Sequence, residues 1–228
     1  MIQAGAFVMK ILALEFSTGH RTVAALDTEA MDNARAPAIE IEEVQGRSVR
    51  ACAMVESALR KAGLARESVD TVAVGLGPGS YAGIRTAIAF ALGWHMARTV
   101  RLAGISSIEC LVAGLESRGT SGSLLAAVDA QRGEFYLAGY ELGPTGWREV
   151  EPLHLASGEE LERRVRAGAR VVGPDIPSHI RGVQRVFPDA AILARLAAGR
   201  AGLERGARLE PIHLRPTRFV KAPPPRAV

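Results

Sequence analysis

The sequence predicts an α/β protein of two related lobes, each a mixed sheet flanked by helices. Two observations carry this expectation. Apolar strands and apolar-periodic helices follow one another through the first half in the order β-β-β-α-β-α-β-α, and the opening hairpin pattern returns 114 residues further on. Composition allows it: 228 residues that are 48% hydrophobic and 23% charged can bury a core in one large domain or two small ones.

Taken in order, Lys10–Leu14 is a short apolar strand and Arg21–Leu26 a second, joined by a Ser-Thr-Gly turn. Residues 38–44 alternate apolar and acidic side chains at Ile39, Glu40, Ile41 and Glu42, the pattern of a half-exposed edge strand. From Ser48 to Ala62 the period changes, with Val49, Cys52, Val55 and Leu59 at three- and four-residue spacing and Gly63 as the stop. Val69–Val74 is a strand leading into glycines 75, 77, 79 and 83, and a long apolar helix covers about Ala82–Arg98. A strand near Leu102 and a helix from about Ser106 to Leu115 complete the unit. The pattern then restarts with strands at Ser123–Val128, Glu134–Leu142 and about Arg148–Leu153, a helix at Ser157–Arg166 and a strand at Ala169–Val172. At the 114-residue offset Glu15 falls on Asp129, Gly19 on Gly133, Leu14 on Val128 and Ala24 on Ala138. The expected division is 9–116 for the first lobe, 117–210 for a shorter second lobe and 211–228 for a tail.

Several classes are disfavoured. The longest uncharged apolar stretch in a helical context, Thr86–Trp94, is well short of the roughly 20 residues a bilayer needs. The first eight residues lack the basic and apolar regions of a signal peptide, and Met9 is an alternative start to Met1. Cys52 and Cys110 sit in apolar helical patterns, where both are expected as small core residues of a cytoplasmic protein. The net charge is +4, and residues 189–228 carry eight basic and three acidic side chains. From Pro211 onward Arg215, Arg218, Lys221 and Arg226 stand without an acid, beside Pro223-Pro224-Pro225. This stretch is either a solvated tail or a contact with RNA phosphates or an acidic partner.

The glycine loop Gly77-Pro78-Gly79-Ser80-Tyr81-Ala82-Gly83-Ile84-Arg85 lies between a strand and a helix, where free N–H groups and the helix dipole favour an anion. Gly77, Gly79 and Ala82 satisfy the loose dinucleotide fingerprint, but the next acid after Asp70 is Glu109, too distant for the ribose-binding acid. There is no G-x-x-x-x-G-K-[ST] loop; the only lysines are Lys10, Lys61 and Lys221. No nucleophile elbow occurs, and no two of the five histidines lie three to five residues apart. Glu15 and Asp129, at strand ends, are placed either to face a metal-phosphate across two lobes or simply to form turns. In the long helix Gly83, Ala87 and Ala91 make a small-residue face, which packs on its own sheet or admits a helix of another subunit.

Residues 11–18, 77–85, 104–109, 128–136 and 210–215 resemble, in the same order, the TsaB (YeaZ) family, over about residues 9–218. The resemblance implies an actin-like ATPase (ribonuclease H-like) fold and a non-catalytic dimerisation platform. Its implied partner is the paralogue TsaD, which transfers threonylcarbamoyl to the adenosine next to the anticodon of tRNA. It further implies contact with the ATPase TsaE and with tRNA through the complex, a homodimer when alone, and no membrane. No cofactor of its own is expected, ATP and a metal belonging to partner subunits. By the resemblance the helices 48–62 and 82–98 form the partner surface, with Val55, Leu59, Gly83, Ala87 and Ala91 as its candidate residues. Candidate phosphate or loop contacts are Glu15, Ser17, Gly77, Gly79, Ser80, Arg85 and Asp129, and candidate RNA or partner contacts are Arg215, Arg218 and Lys221. The chain departs from the family where it has Glu15 for Asp, Tyr81-Ala82 for Phe-Thr, and Arg47 for a frequent His. Loss of Asp and Thr argues against independent ATP binding. The competing expectation is a stand-alone actin-fold ATPase or small-metabolite kinase; a peptidase is disfavoured by the missing histidine pair and nucleophile elbow.

Overall fold

The computed structural model describes residues 8–29, 39–44, 50–200 and 208–214. Arg47, Arg215, Arg218 and Lys221, and the first residues expected of the helix at 48–62, lie outside them.

Strands β1 (Lys10–Glu15), β2 (His20–Asp27) and β3 (Ile39–Val44) form a meander, followed by α1 (Ala51–Ala62). Then come β4 (Thr71–Gly75), α2 (Tyr81–Arg98), β5 (Arg101–Ile105) and α3 (Ser107–Ser117). The sheet order is β3-β2-β1-β4-β5, with β4 and β5 parallel to β1 and the meander antiparallel. The second half holds β6 (Gly122–Asp129), β7 (Glu134–Gly143), β8 (Gly146–Ser157), α4 (Gly158–Arg166), β9 (Val171–Gly173) and β10 (Val183–Arg185). Its order, β10-β9-β6-β7-β8, repeats that of the first sheet strand for strand, which establishes the internal duplication in three dimensions.

Strict alternation along the central strands builds two cores on the first sheet. Leu12, Leu14, Val23, Val72 and Val74 face α1 and α2. Ile11, Ala13, Ala24 and Ala73 face the opposite way, onto α5 (Ala190–Gly199) and the Cys110–Ala113 side of α3. The other side of α3, through Ile108, Leu111, Val112 and Leu115, packs on the second sheet. A single helix is therefore shared by both lobes. Its nine residues from Ser107 to Leu115 are buried except Glu109, and no helix with a polar face fits there.

The elements β10 and α5 lie beyond the last strand that periodicity delineates. Helix α5 returns to the first sheet, capped by Asp189, whose Oδ1 accepts from Ile192 N at 2.8 Å, with Ala190 N donating to Thr22 Oγ1 of β2 at 2.8 Å. One cysteine expectation is corrected. Cys110 is buried and its thiol is pushed well up by burial, but Cys52 is exposed on α1, because Ala51, Met54 and Val55 take the inward positions.

Candidate functional site

A cleft of about 420 Å³ opens between the ends of β1 and β6, the glycine loop and the segment 211–213. Its floor is set by the approach of two backbones. Gly79, at φ +149°, lies against the Ser17 carbonyl, and its neighbour Ser80 donates its N–H to Ser17 O at 2.6 Å. A Cβ at Gly79 would come within 3.0 Å of the Ser17 carbonyl carbon, so a glycine is needed there for the close approach. Gly83 is required for a similar reason, since its Cβ would overlap the Phe16 carbonyl.

Four of the loop's backbone donors, at 77, 80, 83 and 84, are committed to protein. Gly77 N donates to Ser107 Oγ at 3.1 Å, Gly83 N to the Ser80 side chain at 3.4 Å and Ile84 N to Ser80 O at 2.9 Å. Ser17, Gly79, Ser80 and Asp129 line the cleft together. Asp129 is half-buried and its carboxylate accepts from Gln131 N at 2.6 Å, closing an Asx turn. Among the described residues no group of three or more His, Cys, Asp or Glu is placed to hold a metal.

Glu15 does not face the cleft. It is fully buried behind the loop, where Oε1 accepts from Ser17 N and Oε2 from Ser107 Oγ, each at 2.8 Å. Burial pushes its carboxyl above the ordinary value of 4.5, the hydrogen bonds from Ser17 and Ser107 oppose that rise, and the charge of Asp189 adds to it. Of the two roles expected for the strand-end acids, Asp129 forms a turn at the cleft, and Glu15 does not face a metal-phosphate there: it turns inward because Ser107 and Gly75 leave it room.

The segment from Pro211, expected as a tail that is solvated or in contact with a partner, begins as a strap. Ile212 N donates to Leu76 O at 2.9 Å, and His213 Nδ1 lies 3.3 Å from Tyr136 Oη while its ring sits 6.4 Å from that of Tyr81. Sequence reasoning missed Ser107, Asp175, Tyr136 and His213. Ser107, Tyr136 and His213 stand in stretches that carry the family resemblance, and Asp175 follows the strand Val171–Gly173 by two residues.

The candidate interface residues face inward. Val55, Leu59, Ala87 and Ala91 are at most 3% exposed, packed with Ile84 and Ile88 over the first sheet, and Gly83 lies on Phe16. Their small size brings the helices close to their own sheet. What α2 turns outward is a different stripe: Ala82, Arg85, Ala89, Leu92, Gly93 and Met96. Met96 is 85% exposed, Tyr81 58% and Leu92 41%, and the Arg85 guanidinium lies over the Tyr81 ring at 5.2 Å.

The family described as TsaD: tRNA N6-adenosine threonylcarbamoyltransferase matches residues 44–163, more than half of the chain and the stretch that holds α1, the glycine loop, α2 and α3. The chain belongs to the TsaB (YeaZ) branch of this family. It is 29% identical over 159 residues to the tRNA threonylcarbamoyladenosine biosynthesis protein TsaB of Escherichia coli (strain K12), covering 69% of this chain and 67% of that protein. To the Bacillus subtilis (strain 168) TsaB it is 32% identical over 148 residues, 63% of each. The matched stretches thus span about two thirds of these relatives. YeaZ from Pseudomonas aeruginosa has the same architecture, with a TM-score of 0.71 at 25% identity over 90% of this chain and 100% of that one. Among the described residues no helix is long and apolar enough to cross a membrane.

Proposed function

We propose that the chain is a non-catalytic cytoplasmic subunit of the machinery that makes threonylcarbamoyladenosine in tRNA, and that it serves as a platform for a TsaD-type subunit. The observation that carries the reading is the outer stripe of α2. It bears Leu92 and Met96 in the open, beside a groove floored by Ala82, Ala89 and Pro211. Large apolar side chains exposed along one helix stripe favour a protein partner. The relatives' names support the pathway, and the family match at residues 44–163 supports a fold shared with a TsaD-type subunit.

The platform holds no nucleotide or metal of its own in this reading. Support comes from the glycine loop, whose N–H groups at 77, 80, 83 and 84 already have protein acceptors, from the inward turn of Glu15, and from a cleft lining without lysine among the described residues. Contact with TsaE and with tRNA, the latter including Arg215, Arg218 and Lys221, is assigned to the assembled complex, and the chain alone pairs with itself through the same stripe.

Size exclusion with light scattering tests the reading. The chain alone, the cognate TsaD alone and their mixture should give a homodimer that exchanges into a heterodimer. A chain that ignores TsaD overturns it. The second reading, a stand-alone ATPase or kinase, rests on Asp129 and Asp175 lining one cleft; it requires ATP turnover by the isolated chain that Asp129→Ala abolishes.

A further inference from the structure

Residues 163–185 carry six arginines and one acid, Asp175, a net +5 that exceeds the +4 of the entire chain. The fold places Arg170, Arg181 and Arg185 along the β9–β10 edge of the second sheet, while α4, which packs on β7 and β8, brings its last turn beside Gly182. Arg163 and Arg166 lie on the exposed side of α4, Arg170 leads into β9, Arg181 lies two residues before the edge strand β10 and Arg185 ends it. Packing holds these pieces in place. Val165 of α4, Ala169 and Val183 belong to one apolar cluster, and a Cβ on Gly182 would be 3.0 Å from Val165 Cγ1.

Nearby acids neutralise only part of this charge. Arg164 is taken by Glu151 and Glu160 at 2.9 and 3.1 Å, and Arg166 is paired with Glu162 at 3.3 Å. Among the described residues no carboxylate lies within 4.0 Å of Arg163, Arg170, Arg181 or Arg185; Arg170 donates only to the Gln184 amide, at 3.3 Å. The internal duplication supplies the control. The corresponding edge strand of the first sheet, β5, is mostly buried, its Arg101 is paired with Asp70 at 2.9 Å, and Arg98 donates to the Glu67 carbonyl at 2.8 Å. One copy of the duplicated edge is satisfied and covered; the other is cationic and open.

We propose that this second-lobe edge, through Arg163, Arg170, Arg181 and Arg185, binds the phosphate backbone of tRNA. Guanidinium groups suit phosphate oxygens, to which they present paired donors. An unneutralised set of them, three at a rigid sheet edge and one on the helix that ends beside it, matches an extended polyanion better than it matches a compact ligand. The choice of tRNA rests on the proposed place of the chain in tRNA modification, and the edge is separate from the α2 stripe assigned to the protein partner.

The test is fluorescence anisotropy with a labelled unmodified tRNA transcript and the full chain, its C-terminal residues intact, across a salt series. Changing all four arginines to Gln should weaken binding about tenfold or more at low salt and lower the slope of log K against log[salt] by roughly three, while the same four changed to Lys keep the slope. The four side chains are exposed, so the melting temperature should hold in both variants. Unchanged affinity and slope in the Gln variant overturn the proposal. Binding of poly-glutamate with the same arginine dependence but no tRNA binding overturns it in favour of an acidic protein. Self-association of the Gln variant with normal tRNA binding overturns it too, by assigning the charges to guarding an open strand edge. Failure of the pathway reading is visible separately, as absence of a TsaD complex while arginine-dependent tRNA binding persists.

Discussion

The carboxylate of Glu15 occupies the space that a side chain on Gly75 would need. A Cβ there would lie 2.6 Å from Glu15 Cδ, and the carboxylate cannot retreat without abandoning Ser17 N and Ser107 Oγ. Gly75→Ala should therefore destabilise the chain by about 1–3 kcal/mol, read as a fall in melting temperature. Glu15→Asp withdraws the acid by one methylene and should recover part of that loss in the double variant. Strictly additive effects of the two changes would show that the residues do not share the space.

The same carboxyl makes stability depend on pH. Its proton affinity is raised in the folded state by burial, so the folded chain holds a proton that the unfolded chain has released. Stability is accordingly lost as pH climbs from the ordinary value of 4.5 towards the folded value, and is regained on acidification through that window. Glu15→Gln removes the titrating group and should flatten urea-unfolding stability over this range. Glu40, also raised by burial and by Asp189, leaves a residual slope in the variant. Parent and Glu15→Gln curves that run parallel would contradict the assignment.

The two faces of α2 should respond oppositely to bulk and charge. Met96→Glu with Leu92→Arg places charge on the exposed stripe, and the heterodimer with TsaD should weaken about tenfold or more with the melting temperature preserved. Ala87→Trp and Gly83→Leu instead press into the first sheet and the Phe16 carbonyl, and should cost about 3 kcal/mol or more of monomer stability. An Ala87→Trp chain that melts like the parent would return that face to the surface.

Most of the fold was legible because the period of apolar residues reports burial. Leu12 and Ala13 alternate between two cores, and the strand-end acids at 15 and 129 mark the repeat. The inward face of α2 was not. Its residues are apolar almost all round, so composition does not distinguish Ala87, at 0% exposure, from the open Ala89. The candidate site suffered from the same local blindness. That Glu15 turns inward depends on Ser107, 92 positions away in sequence, and on the gap at Gly75, neither of which any spacing rule connects to it.

The strap at 208–214 joins the lobes. Leu209 is buried in the core of the first sheet, 3.1 Å from where a Cβ on Gly104 would stand. Four residues on, His213 meets Tyr136 of the second sheet. Leu209→Ala should cost about 2–5 kcal/mol, since it removes a filled core position. Tyr136→Phe should cost about 0.5–1.5 kcal/mol, the net value of one partly exposed hydrogen bond. Chemical denaturation of both variants measures the ratio. Because the strap closes over the glycine loop through Ile212 and Leu76, Leu209→Ala should also speed limited proteolysis between residues 76 and 80. A loop that stays as resistant as in the parent, with a melting temperature unchanged, would mean that the strap lies on the cleft without holding it.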